Sequence, residues 1–370
     1  MKLIRVDFSG YKNCKEIITF DLLAKSSIIS NDIGSELNEI DENLFTFNNV
    51  AVIGKNASGK TTVLEVLLIV YDLLTKFRLD NNKKYNIDND MNLSIYFHHE
   101  HSIYKYNVLI KKNPLTQTYN LNEEIIYKKQ YYKSYIKNIY EFKNNDKLEL
   151  EKNLPCDTSL LFHVITTSNI HCLSYDEYEF LNSTFVFNLL KNVEMSDSLI
   201  NIIKVFDSNI DYIRKDGDYL LLSYLGDLHR LTLIELYSFL SRGTSKGIIL
   251  YSQAVYALVN GLDLLVDEIE VNFHKTLVNY LLLLFKDERV NKKNARLIFT
   301  THYCELLDTF NRSDNIFLCK SKDTIILENI YTKYKIRNGI LKSNLFYDNY
   351  FDTAVSYKSL MDLKKDLIND

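Results

Sequence analysis

Eight consecutive residues, Gly54 to Thr61, carry the groups of a phosphate-binding loop at the spacing G-x-x-x-x-G-K-[ST]. The two glycines, Gly54 and Gly59, let the backbone curl so that successive amides point inward at phosphate oxygens. The ammonium of Lys60 can reach the β- and γ-phosphates, and the hydroxyl of Thr61 can bind Mg²⁺. A chain of 370 residues with only 10 glycines rarely matches this pattern by chance. The loop therefore predicts a nucleoside triphosphate site.

The residues around this loop predict the elements that would hold it in place. Val50–Ile53 is an apolar run typical of a buried strand, and Thr62–Leu68 has the apolar spacing of a helix. The amino end of a helix favours a bound anion through its free amides and its dipole. The residues expected to bind the nucleotide on this side are Gly54, Asn56, Ser58, Gly59, Lys60, Thr61 and Thr62.

A second, acidic segment supplies carboxylates that could bind Mg²⁺ and activate water. Leu262–Val266 predicts a buried strand, and Asp267 and Glu268 follow it directly, so that Leu264–Glu268 reads as a Walker B segment. At the carboxyl end of that strand, Asp267 is expected to hold Mg²⁺ together with Thr61. Glu268 is expected to polarise the attacking water and is the first predicted catalytic residue.

A histidine closes the next predicted strand. Arg296–Thr300 is mostly apolar, and Thr301 and His302 follow it. The strand–helix–strand spacing predicts a parallel sheet with crossover helices, in which the carboxyl ends of the strands share one edge. A lone histidine is more often structural, but at this edge His302 can bind a γ-phosphate oxygen and orient the water. It is therefore the second predicted catalytic residue.

A fourth segment, Ser241–Thr244, combines a hydroxyl and a glycine amide that can bind an anion at the start of a helix. We expect one helix over Leu231–Leu240, a polar turn over Ser241–Gly247 and a second helix over Ile248–Asn260. Taken alone, the segment predicts a helix cap and nothing more.

Together, these segments resemble the motifs of ABC-type ATPases of the soluble SMC/RecF class. The resemblance is closest to the AAA-family ATP-binding proteins of abortive-infection and other phage-defence systems, relatives of the ATPase half of overcoming-lysogenisation-defect nucleases. Arg242 departs from the pattern, because the usual signature, L-S-G-G-Q, has a small residue there. The matching segments are Gly54–Thr62, Ser241–Thr244, Leu264–His274, Phe299–His302 and Arg337–Tyr350.

The resemblance implies an ATPase that uses ATP and Mg²⁺. In that class, the signature segment contacts the nucleotide of another subunit, which implies an ATP-dependent homodimer in which Ser241, Gly243 and Thr244 bind the partner's ATP. It also implies a cytoplasmic sensor or regulator of antiphage defence. Because no nuclease cluster is evident in this sequence, we expect a separate effector, a nuclease or a toxin, as a second partner.

The same resemblance implies the fold class, an α/β P-loop NTPase with the mixed sheet of an ABC-type ATPase head. An antiparallel β subdomain and an inserted helical lobe are expected to accompany that sheet. We expect an N-terminal ATPase lobe over 1–111, an inserted mixed or helical lobe over 112–230, and a C-terminal ATPase lobe over 231–370. Residues 24–45 are polar and predict a loop.

Composition limits the classes of partner. The net charge of −4 argues against a protein that coats nucleic acid through bulk charge. No run reaches 18 apolar residues, so no membrane partner is expected. The five cysteines are scattered and odd in number, which favours reduced thiols over a disulfide framework.

Two features of the sequence could have other meanings. The Lys- and Tyr-rich run Tyr127–Lys133 could bind single-stranded nucleic acid by stacking, although a solvated element with tyrosines facing the core is favoured. His98, His99 and His101 lie close together and are expected to face solvent.

Three other functions use some of the same motifs. A DNA-repair or DNA-maintenance ATPase shares the head fold and would add nucleic acid as a partner. The nucleotide-binding subunit of a transporter is disfavoured, because residues 62–240 separate the phosphate loop from Ser241. A scaffold that binds ATP without hydrolysing it is disfavoured by the presence of both Glu268 and His302.

Overall fold

The structure is a computed structural model that describes residues 1–79, 85, 87, 90–114, 118–165, 172–175, 201–352 and 357–369. Its central sheet has six strands among these residues: β5 (Asn49–Ile53), β9 (Cys172–Tyr175), β13 (Asp263–Val266), β14 (Arg296–Thr301), β15 (Ile316–Ser321) and β16 (Ile325–Asn329). They lie in the order β16-β15-β5-β14-β13-β9, with only β16 antiparallel to its neighbour. The predicted mixed sheet is confirmed, and the carboxyl ends of β5, β13 and β14 share one edge.

A second, antiparallel sheet has the order β2-β1-β6-β7-β8. Its strands are β1 (Lys2–Ser9), β2 (Ile18–Asp21), β6 (Met91–His99), β7 (Ser102–Lys112) and β8 (Tyr119–Gln130). The sheet thus continues past residue 111, the end of the expected N-terminal lobe. The run Tyr127–Lys133 begins in β8 and continues past its end, where Tyr131 is buried and Tyr132 is exposed.

A hairpin of β3 (Leu37–Asp41) and β4 (Leu44–Phe47) occupies part of the region 24–45. The prediction of a loop is therefore wrong for these residues. Two polar residues serve the hairpin: Asn43 adopts the left-handed φ of 56° at its turn, and buried Asn38 donates from Nδ2 to the carbonyl of Ala295 at 3.4 Å.

The described residues form the helices α1 (Lys60–Thr75), α2 (Leu233–Phe239), α3 (Arg242–Asn260), α4 (Lys275–Lys286), α5 (Ile330–Tyr334), α6 (Lys342–Tyr347) and α7 (Tyr357–Asn369), and residues 201–206 are helical as well. Short 3-10 helices cover Ser30–Asp32, Lys133–Asn138, Asn144–Asp146, Leu160–His163 and Cys304–Thr309. None of these helices is long and apolar enough to cross a membrane.

Helix α3 begins at Arg242, so the polar turn expected over Ser241–Gly247 is wrong. The helix contains two glycines, Gly243 and Gly247, and Gly247 is needed for packing. A Cβ atom on Gly247 would lie 2.1 Å from the ring of Phe206, so only glycine allows this close approach.

A small sheet of β10 (Ile210–Asp216), β11 (Tyr219–Tyr224) and β12 (Asp227–Leu231) precedes α2. It lies in the region 112–230. In the described part of that region, strands contain more residues than helices do. Residues 166–171 and 176–200 lie outside the described part of the chain. The inserted helical lobe and the three-part division therefore stay predictions.

The side chains of the central strands point alternately to the two faces of the sheet, and the apolar core is divided into two clusters accordingly. Val50 and Val52 of β5 pack in the cluster that contains α1 and the antiparallel sheet. Ala51 and Ile53 pack in the cluster that contains α3 and α4. Successive side chains of a strand point to opposite faces, so one apolar run stabilises both layers.

A buried charge cluster ties these layers together at the amino ends of β13 and β14. The carboxylate of Asp263 accepts hydrogen bonds from Arg296 and from the hydroxyl of Tyr71 in α1. Lys2 of β1 lies 3.3 Å from the same carboxylate. Burial alone would raise the pKa of Asp263, but the two cations lower it to about 2.

Asp263→Ala is expected to lower the free energy of unfolding by about 3–5 kcal/mol, because it leaves Arg296 buried without its counter-charge. Asp216→Ala is a control, since Asp216 and Arg230 are both more than half exposed, and its loss should be at most about 1 kcal/mol. Urea unfolding of both variants gives the comparison; equal losses would refute the role of the cluster.

The same cluster predicts a pH dependence of stability. The pKa of Asp263 is lower in the folded chain than the value near 4 of an unfolded aspartate, so the folded chain favours the charged form. The stabilisation is complete above about pH 4 and is lost as the pH falls towards 2. The difference in unfolding free energy between wild type and Asp263→Ala should shrink across that window.

The three neighbouring histidines only partly follow the expectation that they face solvent. His101 is exposed, but His98 is buried, and both contact the same carboxylate oxygen of Asp41, at 3.0 Å and 2.7 Å respectively. The hairpin turn between β6 and β7 brings them to β3, a contact that the local sequence pattern does not reveal.

Candidate functional site

The predicted phosphate loop lies between β5 and α1. Lys60 is the first residue of α1, and Gly59 before it has a left-handed φ of 99°. A Cβ on Gly54 would lie 2.4 Å from the carbonyl oxygen of Cys319, and one on Gly59 would lie 2.6 Å from Ile325. Glycine is therefore required at both positions, by the turn at one and by close packing at both.

Lys60 crosses back over the loop that it follows. Its ammonium donates to the carbonyl oxygens of Gly54 at 2.9 Å and Lys55 at 3.1 Å. The hydroxyl of Ser58 is buried and has no hydrogen-bond partner among the described residues. An ammonium on the loop and an unpaired hydroxyl within it fit a phosphate-binding loop.

The floor of the loop includes a thiol. The Sγ atom of Cys319 in β15 lies 3.0 Å from the carbonyl oxygen of Ser58, to which the thiol donates. Burial raises the pKa of Cys319 to about 12, so the thiol stays protonated at neutral pH. No disulfide links the five cysteines, all of which lie in the described residues.

Thr61 and Asp267, the predicted metal pair, meet although they are 206 residues apart in the sequence. The Thr61 hydroxyl donates to Oδ2 of Asp267 at 2.7 Å. Thr300 of β14 donates to the other oxygen of Asp267 and accepts from the backbone amide of Glu268 at 2.7 Å. Thr300 thus links Asp267 to Glu268, and the sequence pattern did not single it out, although it lies two residues before the predicted His302.

Within the described chain, no group of three or more His, Cys, Asp or Glu side chains could hold a metal ion. One hydroxyl and one carboxylate fit the different case of Mg²⁺, which keeps several waters and takes its other ligands from phosphates.

A cavity of about 430 Å³ adjoins the loop. Its lining includes residues of the loop and of the first turn of α1, among them Asn56 and Thr62. Glu268 lines it from the end of β13. Glu268 is exposed and has a left-handed φ of 46°. The cavity is also lined by four residues that the sequence reading missed, namely Lys12, Asn13, Ser321 and Ile325.

These missed residues come from elements distant in the sequence. Lys12 and Asn13 lie in the turn between β1 and β2, and Lys12 forms an ion pair with Glu65 of α1 at 2.5 Å. Ser321 and Ile325 lie on the hairpin of β15 and β16. The turn around Lys12 was predictable, but its position beside the phosphate loop depends on packing.

His302 follows β14 but is not among the residues that line the cavity. About a third of its side chain (34 %) is exposed, and its Nδ1 atom lies 3.1 Å from Oε1 of Glu270. The structure thus brings His302 to the same sheet edge as Asp267 and leaves part of its ring accessible.

Ser241 caps α3, as the segment Ser241–Thr244 predicts, and Arg242 to Thr244 form the first turn of that helix. The Ser241 hydroxyl accepts from the amide of Thr244 at 3.1 Å and lies 2.7 Å from the Thr244 hydroxyl. Ser241 is exposed, Gly243 is half-buried and Thr244 is buried. The described residues that line the cavity of this chain do not include these three.

No protein-family model matches the chain, and no curated protein matches it. Among solved structures, the SMC head domain from Thermotoga maritima is similar at 11 % sequence identity and a TM-score of 0.45. The alignment covers 89 % of this chain and 99 % of that domain.

Proposed function

We propose that this chain binds ATP with Mg²⁺ and hydrolyses it to ADP and phosphate. The observation that carries the proposal is the contact of the Thr61 hydroxyl with the Asp267 carboxylate at 2.7 Å. It joins the helix of the phosphate loop to the acidic strand end, the two elements that hold the metal in P-loop enzymes. The adjoining cavity, lined by Ser58, Lys60 and Glu268, offers the remaining groups.

In this proposal, the amides of 54–59 and Lys60 hold the phosphates, and Thr61 and Asp267 hold Mg²⁺. Bound Mg²⁺ would offset the charge of the β- and γ-phosphate oxygens. Glu268 accepts the proton of a water whose oxygen bonds to the γ-phosphorus, while the bond to the bridging oxygen breaks and ADP leaves. Thr300 holds the backbone of Glu268 and the carboxylate of Asp267 in place through its two hydrogen bonds.

The site is completed, in our proposal, by a second copy of the chain. Ser241 is exposed at the amino end of a helix of 19 residues but does not line its own chain's cavity. A free helix end with a hydroxyl can bind a phosphate presented by another subunit. Ser241, Gly243 and Thr244 would then close the partner's ATP, and turnover would depend on dimerisation.

For the biological role, we propose a cytoplasmic sensor or regulator of antiphage defence that acts on a separate effector. The support is the resemblance of Asp267–His274 and the other motifs to that group of ATPases. The second candidate is a DNA-repair or DNA-maintenance ATPase, favoured by the exposed lysines Lys128, Lys133 and Lys137. Filter binding decides between them, because salt-sensitive binding of DNA in the presence of ATP would support the second candidate.

Lys60→Ala is expected to weaken binding of a non-hydrolysable ATP analogue with Mg²⁺ by about 10- to 100-fold, the effect of losing a charge-assisted hydrogen bond. Lys55→Ala is the matched control, because the Lys55 side chain is exposed on the same loop and does not line the cavity. Titration calorimetry measures both affinities. Equal affinity of Lys60→Ala and wild type would refute the proposed site.

A further inference from the structure

Glu270 contacts His302 at two points, its backbone amide and its imidazole ring. Its Oε1 atom accepts from the backbone amide of His302 at 2.8 Å and lies 3.1 Å from Nδ1 of the same residue. Glu270 is three residues past Asp267, and His302 follows β14, so the contact joins the ends of the two neighbouring strands that carry the proposed chemistry.

Among the described residues, the polar contacts of the Glu270 carboxylate are made with His302. Glu270 is buried, with 4 % of its surface exposed, and forms no ion pair with a lysine or arginine of the described chain. Its second oxygen, Oε2, has no hydrogen-bond partner among those residues. Burying a carboxylate is unfavourable unless it is paired, and here His302 is the partner.

The chemistry of the pair assigns the proton on the imidazole. A carboxylate oxygen 3.1 Å from Nδ1 can accept a hydrogen bond from it, which would place the imidazole proton on Nδ1. The Nε2 atom lies on the opposite edge of the ring and is left to bind water or a phosphate oxygen. A bond from one ring nitrogen fixes both the tautomer and the direction of the other nitrogen.

We propose that Glu270 is the positioning residue of His302: it holds Nδ1–H and turns Nε2 towards the reacting phosphate. This inference rests on the proposed ATP hydrolysis and assigns Glu270 no contact with ATP. It explains why a carboxylate is buried beside the site without contacting the metal pair or lining the cavity.

The test is a double-mutant cycle on ATP turnover. Glu270→Ala should lower kcat about 10- to 100-fold, the range found for partners that orient ligating histidines, with KM changed by less than about twofold. Glu270→Gln should keep most of the rate, since its amide oxygen can still accept from the backbone amide and from Nδ1–H of His302. In the His302→Ala background, Glu270→Ala should lower kcat no further, because the residue acts through His302.

Glu36→Ala is the matched control for loss of a buried carboxylate. Glu36 is 1 % exposed, accepts from the amide of Asn311 at 3.0 Å and pairs with Lys286 at 2.6 Å. Its loss should lower stability and leave kcat unchanged. Assays are run below the thermal midpoint of every variant.

The imidazole resonances of His302 give a readout that does not depend on turnover. ¹⁵N-edited spectra, assigned with His302→Ala, should show a protonated Nδ1 in wild type and loss of that fixed state in Glu270→Ala. An unprotonated Nδ1, or additive losses of kcat in the cycle, would overturn the positioning role. A wild-type protein that binds ATP without any turnover would instead refute the proposed hydrolysis, and the role in it, even if the spectra show the hydrogen bond.

Discussion

Glu268→Gln is expected to lower kcat for ATP hydrolysis by about 10²- to 10⁴-fold, the contribution of a general base. The affinity for ATP should change little, because the amide has the same shape and the metal pair of Thr61 and Asp267 is untouched. Glu268 is placed for this role by two features: it lines the cavity, and Thr300 holds its backbone amide at 2.7 Å.

The measurement is phosphate release at saturating ATP, beside calorimetric binding of ATP to the variant. Glu288→Gln is the control for loss of an exposed carboxylate, since Glu288 does not line the cavity, and it should turn over ATP at the wild-type rate. If hydrolysis limits opening of the dimer, sedimentation with ATP should show more dimer for Glu268→Gln than for wild type. Unchanged kcat in Glu268→Gln would contradict the assignment of the base.

Ser241→Arg is expected to abolish turnover while largely sparing ATP binding. Ser241 is exposed at the cap of α3 and does not line the cavity of its own chain, so a bulky side chain there should block only a partner's site. Loss of the cap itself should lower stability by about 1 kcal/mol. Thr232→Arg removes the equivalent cap of α2, where the Thr232 hydroxyl accepts from the amide of Glu235. This control should keep its turnover.

Mixing two inactive variants makes the prediction more specific. A heterodimer of Lys60→Ala and Ser241→Arg would combine both defects in one site and leave the other site intact, because each site takes its loop from one subunit and its cap from the other. If each intact site works alone, an equimolar mixture should recover up to roughly one quarter of the wild-type rate. If Ser241→Arg alone loses ATP binding as severely as Lys60→Ala, the cap belongs to the site of its own chain and the shared site is refuted.

Local signals in the sequence predicted the elements that carry the chemistry. The apolar run before Gly54, the two glycines and the apolar spacing after Thr61 each depend on a few neighbouring residues, so strand, loop and helix were readable. Polar residues also form regular structure in the hairpin within 24–45 and in the first turns of α3. The predictions of a loop and a turn were wrong there, because polar composition by itself favours loops.

The sequence by itself determined which groups are available: a phosphate loop, an acidic strand end, a histidine after a strand and a capped helix. Only the tertiary structure decided which of them meet. The register of parallel strands β5, β14 and β13 brings Thr61 to Asp267 and Glu270 to His302, and the antiparallel sheet brings Lys12 and Asn13 to the phosphate loop. The physical reason is that periodicity and capping act over a few residues, whereas contacts between distant segments are set by strand pairing and core packing across the whole fold.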